Sequence, residues 1–336
     1  MTALVTGGGG FLGTAIVRIL CQRGQTVRSL SRQHYPHLDE LGVAQVRGDL
    51  AEPAAVEQAC IDCDIVYHVA AKAGVWGRYR DFFAVNVTGT ENVLNACRKQ
   101  GVRKLVYTSS PSVIYHGGDM EGVNELVPYP VKFEAYYPQT KAIAEKMVLA
   151  ANGPDLATVA LRPHLIWGPG DPHLIPRLLD RARKGKLRRI GRTAKKVDMI
   201  YVDNAAHAHV LGGERLAVSS PIAGRAYFLS QGEPVVLWDF INQILGGAGI
   251  PPVEKAVSFR LAWCAGLGLE TIYRILHLWN EPPMTRFVAR QLATAHWFDI
   301  SAARRDLGYE PLITTEEGLR RLAISDLASR PSPVRS

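Results

Sequence analysis

Ala3-Leu4-Val5-Thr6-Gly7-Gly8-Gly9-Gly10-Phe11-Leu12-Gly13 is the stretch of this chain that decides its fold. The apolar run at its start predicts a buried strand, and the apolar spacing after Gly10 predicts a helix to about Arg23. Between them, Gly7, Gly10 and Gly13 are spaced G-x-x-G-x-x-G. Residues without side chains permit a tight turn and let a pyrophosphate approach the N–H groups that open the helix. The stretch therefore predicts a dinucleotide-binding strand, turn and helix.

Further apolar runs alternate with helical stretches along the first half of the chain. We expect buried parallel strands at residues 3–6, 26–30, 44–47, 65–69, 104–108 and 157–161, and helices at 10–23, at 87–99 and around Tyr137. This alternation predicts an α/β fold with a doubly wound parallel sheet, of the Rossmann type. Prolines cluster after Arg162-Pro163. We therefore expect a nucleotide-binding domain at 1–165, to which later segments return, and a smaller substrate-binding region at 166–336.

Composition narrows the class of protein. The chain has 336 residues, a length that can bury a large core. Its formal charge is +8. Its five cysteines are scattered, and Cys60-Ile61-Asp62-Cys63 stands alone without a second pair or a spaced histidine. We expect free thiols and no metal site. The strand that begins at Ala3 leaves no room for a charged leader, so the sequence predicts a cytoplasmic protein without a transmembrane segment.

Two segments stand out by composition. Residues 177–196 hold ten basic side chains against Asp180 alone. They form either an ordinary solvated helix and turn, or a surface that attracts an anionic substrate, protein or lipid. Residues 259–279 are almost entirely apolar, and we interpret them as a buried helix, as a wall of an apolar pocket or as a membrane-surface patch. Nucleic acid is not an expected partner, since no aromatic-plus-basic platform is present.

The end of the second strand indicates which dinucleotide binds. An NAD site usually places Asp or Glu there to hold the ribose hydroxyls. Here the position is Ser31, followed by Arg32. A guanidinium can pair with a 2′-phosphate that a carboxylate would repel. We therefore expect NADP(H), with the alternative that Arg28 and Arg32 are only surface charges; Asp49, after the third strand, is a candidate adenine contact.

Tyr137 and Lys141 are the candidate catalytic pair. Residues four apart share one helix face, so the ammonium can stabilise a phenolate and make the phenol a usable acid. The fifth strand runs into Ser109-Ser110, and the carboxyl ends of parallel strands are where such folds hold ligands. A serine hydroxyl there could share a substrate oxygen with Tyr137. Together these residues predict a carbonyl/alcohol oxidoreductase.

The chain resembles the extended short-chain dehydrogenase/reductases of the 3β-hydroxysteroid dehydrogenase-like group over nearly its whole length. The stretches that carry this resemblance are the glycine turn, Asn86-Val87-Thr88-Gly89-Thr90, 107–110, 137–141, Leu161-Arg162-Pro163 and Tyr201-Val202-Asp203-Asn204. More narrowly, it is similar to the NADPH-dependent reductases of long-chain 2-alkyl-3-oxoalkanoic acids in bacterial olefin biosynthesis. That similarity lies in 72–77, 164–179, 228–234 and 296–301.

The resemblance implies roles for individual residues. Tyr137 would donate a proton to the ketone oxygen, Lys141 would lower the pKa of Tyr137 and bind the nicotinamide ribose, and Ser110 rather than Ser109 would bind the carbonyl. Asn86 would serve a proton relay or the local helix geometry. The implied cofactor contacts are Gly7, Gly10, Phe11, Leu12, Gly13, Ser31, Arg32, Asp49, Leu50, Ala70, Ala71, Tyr137, Lys141, Pro163 and His164.

The resemblance also implies a substrate and partners. The substrate would be a long-chain β-keto or β-hydroxy acid, held in an apolar pocket with a basic neighbourhood for its carboxylate. The helices at 86–99 and 137–150 would pair in a homodimer, and assembly with other acyl-processing enzymes of the pathway is a further expectation. Two alternatives stay open: a 3β-hydroxysteroid or sterol dehydrogenase, and a non-catalytic NADP-binding scaffold.

Overall fold

The structure is a computed structural model that describes the backbone of residues 1–329 and the side chains of residues 1–325. The last seven residues of the predicted substrate-binding region lie outside the described residues. The strands are β1 Thr2–Thr6, β2 Thr26–Ser31, β3 Ala44–Arg47, β4 Ile65–His68, β5 Lys104–Thr108, β6 Met120–Val123, β7 Ala157–Pro163, β8 Ile166–Trp167, β9 Arg189–Ile190, β10 Lys196–Val197, β11 Ile200–Tyr201, β12 Arg225–Leu229, β13 Val235–Val236, β14 Ala256–Val257 and β15 His296–Phe298.

Helices of very different length connect these strands. The α-helices are α1 Phe11–Gln22, α2 Pro36–Asp39, α3 Pro53–Cys60, α4 Tyr79–Phe83, α5 Gly89–Gln100, α6 Tyr136–Ala150, α7 Leu174–Arg183, α8 Val202–Arg215, α9 Leu237–Gly247, α10 Phe259–Ile275, α11 Arg286–Gln291 and α12 Thr315–Ser329. Ala84–Thr88 and Ala303–Leu307 are π-helical, and Pro111–Ile114 is a short 3₁₀ helix. Within the described part of the chain, no helix is long and apolar enough to cross a bilayer.

The central sheet has seven parallel strands in the order β12-β7-β5-β4-β1-β2-β3. Its strand order reverses between β1 and β4, which creates a crevice at the carboxyl ends of these two strands. Alternate residues of β1 face opposite layers, as the pleat requires. Ala3 and Val5 pack in one hydrophobic cluster with α1 and α8, whereas Leu4 packs in another with α3, α5 and α6. The predicted doubly wound fold is confirmed.

No strand is predicted at 225–229, yet β12 pairs with β7 in the central sheet. β12 and also α8, which packs on α1, lie beyond residue 165, where later segments are expected to return to the nucleotide-binding domain. The run 225–229 is too short for its periodicity to separate a strand from a buried helix.

The buried-helix interpretation of 259–279 is wrong, because most side chains of α10 are exposed. A second sheet, β13-β10-β15-β6, brings residues 296–298 beside 120–123.

Candidate active site

Tyr137, Lys141 and Glu145 lie on one face of α6, one helical turn apart. Lys141 is buried, and its ammonium donates a hydrogen bond of 2.6 Å to the carbonyl oxygen of Thr108 at the end of β5. The same nitrogen lies 4.1 Å from the centre of the Tyr107 ring. Burial lowers the pKa of Lys141 to about 7, while the Glu145 carboxylate acts in the opposite direction. The tertiary structure therefore fixes the lysine at the end of β5, one helical turn after Tyr137.

Ser110 follows β5 and approaches Tyr137. Its hydroxyl lies 2.9 Å from the Ser112 hydroxyl and accepts the Ser112 backbone N–H at the start of the 3₁₀ helix. Burial raises the pKa of Tyr137, whereas a hydrogen bond from Ser110 lowers it. Ser109 is buried, and its backbone N–H donates to the carbonyl oxygen of Leu161. Of the two neighbouring serines, Ser110 is the one placed beside the tyrosine.

Ser110 and Tyr137 lie on the wall of a cavity of about 210 Å³. The apolar part of its lining includes Val75, Met120, Leu165, Phe287 and Phe298. The polar part also includes Ser112, Tyr115, His164, Gln291 and His296. Among the described residues that line it, none is Lys or Arg, so the basic neighbourhood expected for a carboxylate is not formed by this lining. The basic residues of 177–196 lie elsewhere.

His164 and His296 form a hydrogen-bonded pair on this lining. Nε2 of His164 lies 2.7 Å from Nδ1 of His296, whose own Nε2 lies 2.9 Å from the carbonyl oxygen of Gln291. A carbonyl only accepts, so Nε2 of His296 carries a proton and its Nδ1 accepts from His164. Burial lowers the pKa of both imidazoles, and the neighbouring His296 lowers the pKa of His164 further. The pair is therefore neutral near pH 7.

The glycines between β1 and α1 form a cradle that side chains would close. Gly7 has a φ of +70°, and a Cβ built on it would lie 3.0 Å from Ala70. A Cβ on Gly13 would lie 2.0 Å from the carbonyl oxygen of Gly7. Gly10 precedes Phe11 at the start of α1 without a side-chain cap. Close-packed backbone with open N–H groups at a helix start fits a dinucleotide pyrophosphate.

Ser31 and Arg32 lie where β2 ends, beside β3. Ser31 is in register with Arg47, and the Arg47 guanidinium donates to the Arg32 carbonyl oxygen at 3.2 Å. The Arg32 side chain itself is exposed. Arg28 lies in a different environment, because its guanidinium donates to the Ala59 carbonyl oxygen at 2.8 Å. The surface-charge alternative is therefore wrong for Arg28, which ties β2 to the end of α3.

The remaining predicted cofactor residues lie at the same edge of the sheet. Asp49 and Leu50 follow β3, and the Asp49 carboxylate accepts the Ala51 N–H at 2.9 Å. Ala70 and Ala71 follow β4, Leu12 is in the first turn of α1, and Pro163 and His164 mark the end of β7. The structure thus brings the predicted set to the carboxyl edge of the central sheet, on both sides of the crevice between β1 and β4.

Asn86 is buried in the π-helical turn and uses its amide for structure. Its Oδ1 accepts the Lys72 N–H at 2.7 Å, and its Nδ2 lies 3.1 Å from the Lys72 carbonyl oxygen and 3.0 Å from Thr140 Oγ1. These bonds join the loop after β4 to α6. These contacts fit the expected role of Asn86 in the local helix geometry better than its expected role in a proton relay.

The sequence does not single out the polar network behind Lys141. The Glu145 carboxylate binds the Arg162 guanidinium with two bonds of 2.6 and 2.9 Å, and it accepts the Tyr129 hydroxyl at 2.6 Å. Burial alone would raise the pKa of Glu145, but Arg162 outweighs it and lowers that pKa. Glu145 comes four residues after Lys141, and this spacing could have indicated that the carboxylate lies on the same helix face as the lysine.

This geometry defines the class of protein. A glycine cradle at the switch point of a doubly wound sheet, next to a Tyr–Lys pair and a serine on a cavity wall, is the arrangement of a nicotinamide-dependent short-chain dehydrogenase/reductase. In the part of the chain that the structure describes, no group of three or more His, Cys, Asp or Glu is placed to hold a metal ion.

The chain belongs to the 3-beta hydroxysteroid dehydrogenase/isomerase family, whose model matches residues 4–261. It is 53% identical over 330 residues to a 2-alkyl-3-oxoalkanoate reductase of Stenotrophomonas maltophilia, covering 98% of this chain and 100% of the relative. It is 34% identical to a sterol-4-alpha-carboxylate 3-dehydrogenase, decarboxylating, of Mus musculus, covering 94% and 88%.

A solved structure of similar fold is the Thermus thermophilus UDP-glucose 4-epimerase in complex with NAD. It shares 26% identity at a TM-score of 0.74 and covers 98% of this chain and 100% of that one. The family that the sequence predicts is thus confirmed. The chain is an oxidoreductase that uses a nicotinamide cofactor and acts on hydroxyl or keto groups.

Proposed function

We propose that the protein uses NADPH to reduce the ketone of a long-chain 2-alkyl-3-oxoalkanoic acid to the 3-hydroxy acid, in olefin biosynthesis. The observation that carries this proposal is that Ser110 and Tyr137 share the wall of a largely apolar cavity. The relative of 53% identity, named for this substrate class, supports the choice of acid.

In the proposed reaction, Ser110 and Tyr137 hold the ketone oxygen with their hydroxyls. Tyr137 gives its proton to that oxygen as negative charge develops there. Lys141, fixed by the Thr108 carbonyl oxygen, stabilises the phenolate that remains. The nicotinamide, when bound, supplies the hydride, so the ketone gains a hydride and a proton and becomes the alcohol. With the cofactor bound, the glycine cradle would hold its pyrophosphate, and Lys141 would also contact the nicotinamide ribose.

The end of β2 supports NADPH over NADH. Ser31 takes the position of the carboxylate that would repel a 2′-phosphate. Arg32 follows Ser31 in the chain and Arg47 is in register with it on β3, so two guanidinium groups are available near that phosphate. An exposed arginine can close on a phosphate at little cost, because no buried partner has to be released.

The cavity lining supports an alkyl acid with its carboxylate on the polar side. The names of both relatives describe a carboxyl group on the carbon next to the reacting one. In this cavity such a carboxylate has hydroxyl, amide and imidazole partners, among them Ser112, Gln291 and the His164–His296 pair. The alkyl chains would lie against Met120, Phe287 and Phe298.

Three properties of the protein in the cell belong to the proposed function: its location, its oligomeric state and its assembly with other enzymes. A cytoplasmic location suits the cysteines, all of which are free. A homodimer that pairs the helices at 86–99 and 137–150 remains a proposal from the family resemblance, as does assembly with acyl-processing enzymes.

The test is oxidation of a racemic long-chain 2-alkyl-3-hydroxy acid with NADP⁺ and with NAD⁺, beside a 3β-hydroxysterol. The oxidative direction avoids β-keto acids, which decarboxylate on standing. We expect turnover of the hydroxy acid with NADP⁺. Turnover of the sterol with NAD⁺ would instead favour the steroid alternative, and tight NADPH binding without turnover of either would favour a scaffold.

A further inference from the structure

The helix α10 exposes an apolar stripe to solvent. Leu261, Ile272, Ile275 and the following Leu276 are 61%, 51%, 71% and 60% exposed. Their spacing places them on one side of a helix, together with Ala265 and Gly268. The opposite side, at Ala262, Gly266 and Glu270, is buried. We call the four large side chains the α10 stripe. A contiguous exposed apolar surface of this kind marks an interaction site.

Acidic charge is absent from the exposed side of α10. The single acid in the helix, Glu270, is buried, and it binds the Arg286 guanidinium at 2.7 and 2.9 Å. The exposed charges of the helix are Arg260 and Arg274. The stripe is therefore apolar with a positive border.

The tertiary structure brings the basic residues 177–196, called here the basic segment, to both ends of α10. Before the helix, β9 of the basic segment pairs with β14, and Ile190 packs against Ala262. After the helix, the Arg177 guanidinium lies 2.5 Å from the Glu281 carboxylate, and Arg181 donates to the Pro283 carbonyl oxygen. Two segments more than sixty residues apart thus form one surface, apolar in the middle and basic at its edges.

This surface lies over the wall of the active-site cavity. α10 packs on α11 so closely that a Cβ on Gly266 would lie 2.7 Å from the backbone nitrogen of Arg286. α11 carries Phe287 and Gln291 of the cavity lining. On the other side, the Trp76 indole donates to the Leu278 carbonyl oxygen at 2.9 Å, next to the loop that lines the cavity at Val75. The cavity wall is therefore one helix away from the stripe.

We propose that the α10 stripe and the basic segment bind the surface of an anionic lipid bilayer. An amphipathic helix with an apolar face and basic flanks lies in the plane of such a surface, and its binding combines apolar burial with attraction to anionic headgroups. A second copy of this chain fits less well, because two positively bordered surfaces would face each other. Only the functional consequence, that long-chain substrate enters from the lipid phase, rests on the proposed function.

The test is sedimentation of the full chain with phosphatidylcholine vesicles, with and without phosphatidylglycerol. We expect binding to the anionic vesicles that falls in about 0.5 M salt, as headgroup attraction is screened. Ile272→Gln with Ile275→Gln should weaken binding by about tenfold or more, since two exposed apolar groups are lost. Lys186→Glu with Arg192→Glu should weaken it and remove the salt dependence.

Control variants change other exposed residues of the same types. Leu126→Gln with Leu312→Gln removes exposed apolar groups, and Arg103→Glu with Arg225→Glu changes charges at the amino-terminal ends of β5 and β12. Both should bind as the parent does. Unfolding temperatures verify that each variant is folded. Absence of binding to anionic vesicles, equal binding by the stripe variant, or a stripe-dependent oligomer or protein complex in its place overturns the proposal. The assay needs no substrate, so it is independent of the proposed reaction.

Discussion

At the scale of single residues, Tyr137 is the group on which the proposed chemistry depends most directly. Tyr137→Phe keeps the ring and removes the acid, so turnover should fall at least about a hundredfold. NADPH binding, followed by fluorescence titration, should change little. The control is Tyr136→Phe, since the neighbouring ring packs against Tyr79 and lies outside the cavity lining. Unchanged turnover in Tyr137→Phe would contradict the mechanism.

Lys141 gives the site a stability cost that depends on pH. Burial lowers its pKa from 10.5 to about 7, so between these values the unfolded chain binds more protons and stability rises with pH. Lys141→Met removes the buried amino group and with it this loss of stability. We expect the cofactor-free variant to be about 2–4 kcal/mol more stable than the parent at pH 7, a difference that shrinks towards pH 10.

Urea unfolding at the two pH values measures this difference, and turnover of the variant should be lost. Loss of the bond to Thr108 is the opposing effect, and it is present at both pH values because the amine as well as the ammonium can donate. A variant that is equally destabilised at pH 7 and pH 10 would show that the ammonium carries no burial cost.

Arg32 is the residue that tests cofactor choice. Its guanidinium is exposed at the end of β2, so Arg32→Ala should leave the fold intact. We expect NADPH binding to weaken by roughly tenfold or more, while NADH binding changes little, because only NADPH has the 2′-phosphate. Arg103→Ala, at the amino-terminal edge of β5, serves as the control. Equal weakening of both cofactors would mean that Arg32 does not contact the phosphate.

At the scale of elements, α6 is fastened to β7 by the buried Glu145–Arg162 pair. Glu145→Gln would leave the guanidinium without its counter-charge in the interior, so we expect a loss of about 3–5 kcal/mol in the free energy of unfolding. Glu57→Gln breaks the partly exposed pair with Lys99 and should cost about 1 kcal/mol or less. Urea unfolding of both variants makes the comparison, and similar small losses would contradict a fastening role.

At the scale of the whole molecule, buried neutral histidines should make the protein sensitive to acid. Burial lowers the pKa of His68 to about 3 and of His209 to about 4, and it also lowers the pKa of His164 and His296. Below pH 6.5 the unfolded chain therefore binds more protons, and stability falls as pH falls. Burial raises the pKa of Asp198 to about 6, which acts in the opposite direction.

Four histidines outweigh one aspartate, so the unfolding temperature should fall between pH 7 and pH 5. The fall should be smaller in His209→Gln, which removes one titrating group while its amide can still bond to Thr108. A temperature that is constant or rises over this range would contradict the prediction.

Features that depend on neighbours along the chain could be predicted from the amino-acid sequence. The glycine turn is local, because Gly13 must leave space for the Gly7 carbonyl oxygen. The shared helix face of Tyr137 and Lys141 follows from their spacing, and six strands of the central sheet follow from apolar runs. These features suffice for the fold class and for the catalytic hypothesis.

Tertiary structure alone decided the contacts between distant segments. His164 meets His296 across 132 positions, and nothing near either residue indicates the other. β12 joins the sheet from a run too short to identify, and the basic segment reaches both ends of α10 through a strand pairing, an ion pair and a hydrogen bond. The physical reason is that a local pattern specifies an element and its buried face, whereas the shape of a cavity and the composition of a surface depend on which elements pack together.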